Sequence, residues 1–212
     1  MSKIIVKDLE GPSSSSNKIY IASGSQLDIA GSPGGAGAIN LAVDGGDITT
    51  GTVANARLAD GHILQVVQTT FTGMFESTST SYTAVTGMSA SITPSSTSSK
   101  ILIIIQTSAG TSTSTANSSF TIYRGSTTAL YEGASAGSRK QAGAAVSNPA
   151  TWNQNQFSLI FLDSPSRTSA TTYNLYGRAS TGTFRVNSNG EDSDATNQWR
   201  AASSITVMEL KA

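Results

Sequence analysis

Residues 92–106 read ITPSSTSSKILIIIQ, and this stretch decides the fold class of the chain. Within it, residues 101–105 form the longest run of large apolar side chains in the sequence, and most of them are β-branched. Branched side chains fit a pleated sheet better than a helix. The run is too short for a membrane span, which needs about 20 apolar residues. Because an unbroken apolar run is typical of a buried strand, we predict a core strand covered on both faces.

The surrounding sequence predicts turns and further strands. Pro94 and the polar residues 95–99 supply turn chemistry, so residues 92–106 predict a β-hairpin. Two more hairpin turns are predicted at residues 124–127 and 180–182. Strands are predicted at residues 63–71, 88–93, 120–123, 156–163, 171–179, 183–187 and 203–210. About eight to ten short strands without helical periodicity are typical of an antiparallel sandwich, so the predicted fold class is all-β.

The composition limits the classes of function. Charged residues make up only 12% of the 212 residues, and 13 basic side chains balance 13 acidic ones. A nucleic-acid surface needs a clustered basic face, so we expect no nucleic-acid partner. The absence of cysteine excludes disulfides and thiolate metal sites. No stretch resembles a signal peptide or a membrane span, so we expect synthesis in a cytoplasm and no membrane insertion.

The beginning of the chain differs from the remainder. Short strands are predicted at residues 4–6 and 19–21, but Gly11-Pro12 and the GSPGGAG of residues 31–37 separate them from any strong strand. Such segments bury too little surface to offset an ordering entropy of about 1–2 kcal/mol per residue. We therefore predict an extended N-terminal attachment arm with a glycine-rich linker at residues 1–61. Residues 62–212 are predicted to form the β-sandwich.

Several stretches resemble proteins of bacteriophage particles. GDITTGTVANARL at residues 46–58 resembles the linker of many tail-fibre and appendage proteins, which has the form TGTV-x-x-ARL. Residues 66–71, residues 81–103 and the closing SSITVMELKA of residues 203–212 together resemble the C-terminal β-domain of small virion proteins of marine phages. The resemblance implies a trimeric jelly roll or knob carried on the particle by its N-terminal segment. Because the linker motif occurs once, it implies a short appendage rather than a long shaft.

The leading hypothesis is therefore a structural protein of a bacteriophage virion. It would be a short trimeric fibre or knob, made in the host bacterial cytoplasm and bound to other virion proteins through residues 1–60. A chain with little charge and a weak N-terminal region also suits a homo-oligomer, because closed rings bury exposed sheet edges.

A receptor-binding tip that binds a host surface glycan is the alternative hypothesis. Trp152, Asn153 and Asn155 are the candidate glycan contacts, because an aromatic side chain there adjoins a polar, amide-rich stretch. The competing interpretation is that the aromatic side chains lie in the core, as they more often do in a chain with so few of them. It applies to Trp152, Trp199, Tyr173 and Tyr176.

An enzyme, such as a glycan depolymerase, is the third hypothesis, and we expect none. A glycosidase needs two carboxylates about 5–10 Å apart, and 13 acidic residues leave few such pairs. Residues 133–137, GASAG, match G-x-S-x-G, but no helix is predicted after them, and the sole histidine, His62, precedes them. We therefore treat the match as chance and expect no catalytic residue and no cofactor.

Two further polar features have simpler interpretations than a site. Residues 187–197 are rich in hard oxygen ligands, but their spacing is not that of an EF-hand, so a solvated hairpin tip is predicted rather than a metal site. The ligands are Asn187, Asn189, Glu191, Asp192, Asp194 and Asn197. Asp163 precedes Ser164-Pro165 and is predicted to form a turn.

A truncated chain that begins at Gly61 tests the predicted division. We expect a soluble β-domain that unfolds cooperatively, because all the strong strands lie after this point. We also expect it to be absent from particles, because the arm would carry the attachment. Circular dichroism melting and mass spectrometry of purified virions measure the two outcomes. Assembly of the truncated chain onto virions would place the anchor in the C-terminal domain instead.

Overall fold

The structure, a computed structural model, describes residues 57–212. The arm predicted at residues 1–61 lies almost wholly outside this part, so the division at residue 61 stays a prediction. The described residues form eleven β-strands and no α-helix. The strands are β1 (Ile63–Phe71), β2 (Phe75–Ser77), β3 (Thr83–Ile92), β4 (Lys100–Thr111), β5 (Asn117–Arg124), β6 (Thr128–Ala129), β7 (Ala144–Ser147), β8 (Asn155–Asp163), β9 (Thr171–Ala179), β10 (Phe184–Val186) and β11 (Ser203–Leu210).

The strands pair into two antiparallel sheets, A and B. In sheet A, β8 lies along one edge of β4, while β11 and β10 lie end to end along the other. Strands β1 and β2 continue outward from β11 and β10. In sheet B the order is β3, β9, β5, and then β6 and β7 end to end along the far edge of β5.

This order is that of a jelly roll. When β1 with β2, β6 with β7, and β10 with β11 each count as one strand position, the chain has eight positions in sequence order. They are arranged 1-8-3-6 in sheet A and 2-7-4-5 in sheet B. First pairs with last, second with seventh, third with sixth and fourth with fifth, as in a long hairpin rolled into two sheets. The predicted all-β fold and jelly-roll-like antiparallel sandwich are confirmed.

Two of the three predicted hairpins are instead connections between the sheets. Strand β3 lies in sheet B and β4 in sheet A, so residues 93–99 carry the chain across the sandwich. Residues 180–183 do the same between β9 and β10. The prediction was wrong because turn chemistry indicates a reversal of the chain without specifying which sheet receives the next strand. The turn after Arg124 does close a hairpin, since Tyr123 pairs with Ala129.

The apolar run of β4 alternates between the core and the outside. Ile101, Ile103 and Ile105 are buried between the sheets, whereas Leu102 and Ile104 are only half-buried on the outer face of sheet A. The prediction that both faces are covered is therefore wrong for the single chain. Successive residues of a strand point to opposite faces, and the sandwich covers only one face of each sheet.

Asp163 joins the two sheets at one end of the core. It lies buried at the end of β8, and its carboxylate accepts hydrogen bonds from Arg124 Nη1 at 3.0 and 2.9 Å. The Tyr173 hydroxyl also donates to it, at 2.7 Å. Burial and the bond to Asp163 raise the pKa of Tyr173 well above its ordinary value, so this hydroxyl remains a donor. The prediction that Asp163 forms a turn was wrong, because its side chain is bound by residues on two strands of sheet B, β5 and β9, and not by the turn that follows it.

Glu209 anchors the connection between the two sheets at residues 93–99. It points inward from β11 and is 1% exposed. Its Oε1 accepts from Ser95 N at 2.7 Å, Ser95 Oγ at 2.6 Å and Ser99 Oγ at 2.7 Å, and its Oε2 accepts from Gln65 Nε2 at 2.6 Å. Burial alone would raise the pKa of Glu209, but these hydrogen bonds outweigh it and hold the pKa below the ordinary value. The ionised carboxylate therefore fastens the turn to the last strand.

Ile103 and Ile104 provide a matched test of the strand's two faces. We expect Ile103→Asp to prevent folding, because a carboxylate without a partner in the core costs several kcal/mol. Ile104→Asp should still fold, because that side chain points out of the sandwich. Circular dichroism and thermal melting of both variants measure the difference. A normal melting temperature for Ile103→Asp would show that β4 is placed the wrong way round.

Glu209→Gln tests the buried carboxylate. Because the folded pKa is lowered, its ionisation stabilises the fold fully above the ordinary value of about 4.5, and this contribution is lost as the pH falls through the lower folded pKa. We expect the variant to lose about 1–3 kcal/mol of unfolding free energy near neutral pH, with the difference from the wild type shrinking in acid. Urea unfolding across this pH range measures it. Glu132→Gln, an exposed control, should follow the wild-type profile.

Candidate functional site

An apolar face lies on the outside of sheet A. Val66 pairs with Met208, Met208 with Leu102, and Leu102 with Leu162, so one row crosses all four strand positions. Two residues further along β4, and on the same face, Ile104 pairs with Ile160, which is 56% exposed. We define the apolar face by six residues: Val66, Leu102, Ile104, Ile160, Leu162 and Met208.

The surroundings of the apolar face carry little charge. The outward positions beside it on the same strands include the neutral residues Gln68, Gln106, Ser158 and Thr206, and one charged residue, Lys100, at the start of β4. In the described part, β8 pairs on one side only, and so does β1. Long exposed strand edges and contiguous apolar patches are both typical of surfaces that bind another chain. This face is therefore a candidate protein interface.

Two exposed tryptophans form a second candidate site. Trp152 is 65% exposed in the loop before β8, and Trp199 is 72% exposed in the loop before β11. The prediction of core positions was wrong for both, and it holds for Tyr173, which is fully buried. Tyr176 is half-buried and stacks on Tyr123 with ring centroids 4.0 Å apart. A low aromatic content does not specify which aromatic residues fall in polar loops.

The two indoles line one cleft of about 410 Å³, called here the tryptophan cleft. Its other lining residues are Ser108, Asn153, Gln154, Gln156 and Ala201, so no ionisable side chain lines it. Of the three candidate glycan contacts, Trp152 and Asn153 are therefore in the cleft. Asn155 is outside its lining, and its amide donates to Asn148 Oδ1 and to Ser147 O. Gln154 belongs to the amide-rich stretch that the sequence predicts beside Trp152, whereas the approach of Trp199 to Trp152 was not predicted, because no local signal brings residue 199 to residue 152.

Asn189 connects the two loops that carry the tryptophans. Its side-chain amide donates to Trp152 O at 3.3 Å and to Gln198 Oε1, and its Oδ1 accepts from Asp192 N at 2.9 Å. Gly190 N donates to Thr151 O at 2.7 Å. A side chain at residue 190 would collide with the backbone, since its Cβ would lie 1.7 Å from Thr111 O. The loops are thus held together by close backbone contact.

The start of the oxygen-rich loop is buried rather than solvated. Asn187, Ser188 and Asn189 are all buried, and the Asn187 amide donates to Phe71 O and Gly73 O, both at 2.9 Å. The prediction of a solvated hairpin tip was wrong for these residues. Asn187 has a φ of 64°, a left-handed conformation that asparagine adopts more readily than most residues. These contacts anchor the loop to the end of the sandwich.

A smaller, charged groove of about 270 Å³ adjoins the cleft and shares Trp199 with it. There Arg200 Nη2 lies 2.6 Å from Asp192 Oδ1. Burial would raise the pKa of Asp192, but the hydrogen bond from Ser188 and the charge of Arg200 hold it below the ordinary value. Within residues 57–212, no group of three histidine or acidic side chains is arranged to hold a metal ion.

The G-x-S-x-G match has none of the context that a nucleophile elbow needs. Residues 133–137 lie in an exposed loop, and no α-helix follows them within the described part. His62 lies where the described chain begins, with its Nδ1 2.9 Å from Ala59 O. The described residues also contain no helix of the length and apolarity that crossing a membrane requires.

No protein-family model and no curated protein matches this chain. Among solved structures it is similar to T=1 particles derived from infectious bursal virus, at 15% identity and a TM-score of 0.39, over 77% of this chain and 41% of that one. It is also similar to infectious bursal disease virus Gx strain, at 15% identity and a TM-score of 0.37, over 76% of this chain and 45% of that one. A third similar structure is the VP2 subviral particle of infectious bursal disease virus, at 15% identity and a TM-score of 0.38, over 77% of this chain and 42% of that one.

The chain thus spans less than half the length of the chains that it resembles. Because these TM-scores are low, the jelly-roll assignment rests on the strand order and not on the similarities.

Proposed function

We propose that this chain is a structural protein of a bacteriophage virion, a short fibre or knob in which three copies pack through the apolar face of sheet A. The apolar face is the observation that carries the proposal, because it leaves large side chains in water until another chain covers them. The assignment to a phage particle rests on the linker sequence at residues 46–58.

The chemistry of the face suits contact between identical copies. Its six side chains are neutral, so only Lys100 at one end of the face would place like charges near each other when the same surfaces meet. Burying a large apolar side chain contributes about 1.5–3 kcal/mol relative to full exposure. Val66, Ile160 and Leu162 are about half exposed and the other three side chains less so, so each would contribute a fraction of that figure. Closure into a ring would also cover the exposed edges of β1 and β8.

Rotational symmetry would also align the N-terminal arms. In the described part, Gly61 N donates to Lys211 O at 2.8 Å, so the chain enters sheet A beside the end of β11. A threefold axis along the sheet brings three equivalent entry points to the same end of the assembly. Residues 1–60 of all three copies could then bind one site on the particle.

Acidic substitutions on the apolar face test the interface. We expect the wild type to have three times the 21.8 kDa chain mass in light scattering at micromolar concentration. The double variant Ile160→Asp, Leu162→Asp should fold but remain a single chain, because the carboxylates would be desolvated in the interface. Ser89→Asp places the same charge on the outer face of sheet B and should leave the mass unchanged. A monomeric wild type, or a double variant with the wild-type mass, contradicts the proposed packing.

The virion assignment has a separate test. An antibody raised against residues 62–212 should label purified phage particles in electron microscopy, and the chain should appear in their mass spectra. Its absence from particles of an infecting phage that encodes it contradicts the assignment, whatever the oligomeric state.

A further inference from the structure

We propose that the tryptophan cleft is a binding site for a neutral saccharide. This activity goes beyond a structural role and is carried by a different part of the molecule, so it does not depend on the apolar face. The cleft has the three properties that such a ligand needs: exposed aromatic faces, amide groups with no partner among the described residues, and loops fastened to each other.

The aromatic faces come from Trp152 and Trp199. Large apolar side chains are costly to leave in water, yet both indoles are more than half exposed and both line the same cleft. An indole presents a flat apolar face together with one N–H donor. The ring C–H groups of a sugar are the apolar part of an otherwise polar molecule, and they match such a face. Two indoles on separate loops can contact a saccharide from different sides.

The hydrogen-bonding groups are amides rather than charges. The side chains of Asn153 and Gln156 form no hydrogen bond with other residues of the described part, so both amides can donate to and accept from hydroxyl groups. Gln154 Nε2 donates to Ser108 Oγ at 2.8 Å, which orients that amide at the floor of the cleft. Because the lining holds no ionisable group, an anionic sugar would find no counter-charge there. The chemistry therefore selects a neutral saccharide.

The frame is rigid before any ligand binds. Asn189 joins the loop of Trp152 to the loop of Trp199, and Gly190 packs against the end of β4. A site with fixed loops loses little conformational freedom on binding, which favours affinity for small polar ligands.

The cleft lies at the far end of sheet A from the point where the chain enters. Lys100 pairs with Leu210 near the entry, and Ser108 lies eight residues further along β4, roughly 26 Å away at about 3.3 Å per residue. If the arm attaches the protein to a particle, an orientation that rests on the proposed function, the cleft points away from the particle. A saccharide of a host surface would then be within reach.

The two tryptophans of the cleft are the only ones in the chain, so tryptophan fluorescence, excited at a wavelength that the six tyrosines do not absorb, reports on this site alone. The full-length protein is titrated with neutral hexasaccharides of glucose, galactose and N-acetylglucosamine, and with a hyaluronan fragment as the anionic comparison. It is also applied to an array of bacterial surface glycans. We expect a saturable shift of the emission with a neutral saccharide and none with hyaluronan.

Single substitutions then test whether the two tryptophans carry the binding. Trp152→Ala and Trp199→Ala should each weaken binding at least about tenfold, as buried aromatic anchors do. Trp152→Phe should recover most of it. Melting temperatures should stay at the wild-type value, because the side chains are exposed. Tyr131→Ala removes an exposed aromatic residue outside the cleft and should not affect binding.

Three results would overturn the inference: no response to any neutral saccharide or arrayed glycan, binding that survives both alanine substitutions, or an emission that changes with protein concentration alone. The last would identify the cleft as a contact between copies of this chain. None of these results bears on the mass of the assembly or its presence in virions, so the structural proposal is tested separately.

Discussion

Two buried carboxylates close one end of the core, and the path of the chain depends on them. Ile101 at the start of the apolar run pairs with Glu209 on one side and with Asp163 on the other. A buried carboxylate without partners is prohibitively costly, so each one determines the position of the groups that satisfy it. Glu209 fixes the crossing turn through Ser95 and Ser99, and Asp163 fixes sheet B through Arg124 and Tyr173. Together they set where β4 begins and how the two sheets meet.

The sequence predicts those features of the fold that depend on residues close together in the chain. The isoleucine run, the strands around it and the turn after Arg124 follow from periodicity and turn chemistry, and all are present in the structure. The sheet that a strand joins is not local, which is why two predicted hairpins are connections between sheets. Contacts between residues far apart in sequence could not be predicted for the same reason. They include the bond between Glu209 and Ser95, which are 114 residues apart, and the approach of Trp199 to Trp152. Inward-pointing polar residues on an otherwise apolar strand face were the available signal for Glu209 and Asp163.

The jelly roll separates the surfaces that the two proposals use. Regular strands present the apolar face, where fixed register aligns side chains from four strand positions into rows. Irregular loops at one end present the tryptophan cleft, and the end of β4 supports them through the contact of Gly110 and Thr111 with Asn189 and Gly190. Under the two proposals, substitutions in the cleft loops would change saccharide binding without disturbing the apolar rows, and substitutions in the rows would change assembly without disturbing the cleft.

The first and last strand positions are neighbours in this fold, which determines where a peptide fused to the end of β11 would emerge. Lys211 N donates to His62 O, so a peptide fused after Ala212 would emerge at the pole where the chain enters. If residues 1–60 attach the protein to a particle, as proposed, such cargo would lie near the attachment point. Grafting into residues 193–195, which are exposed at the opposite pole, would then place a foreign epitope on the side that faces away from the particle. The topology thus makes loop insertion the better route for engineering this protein as a carrier.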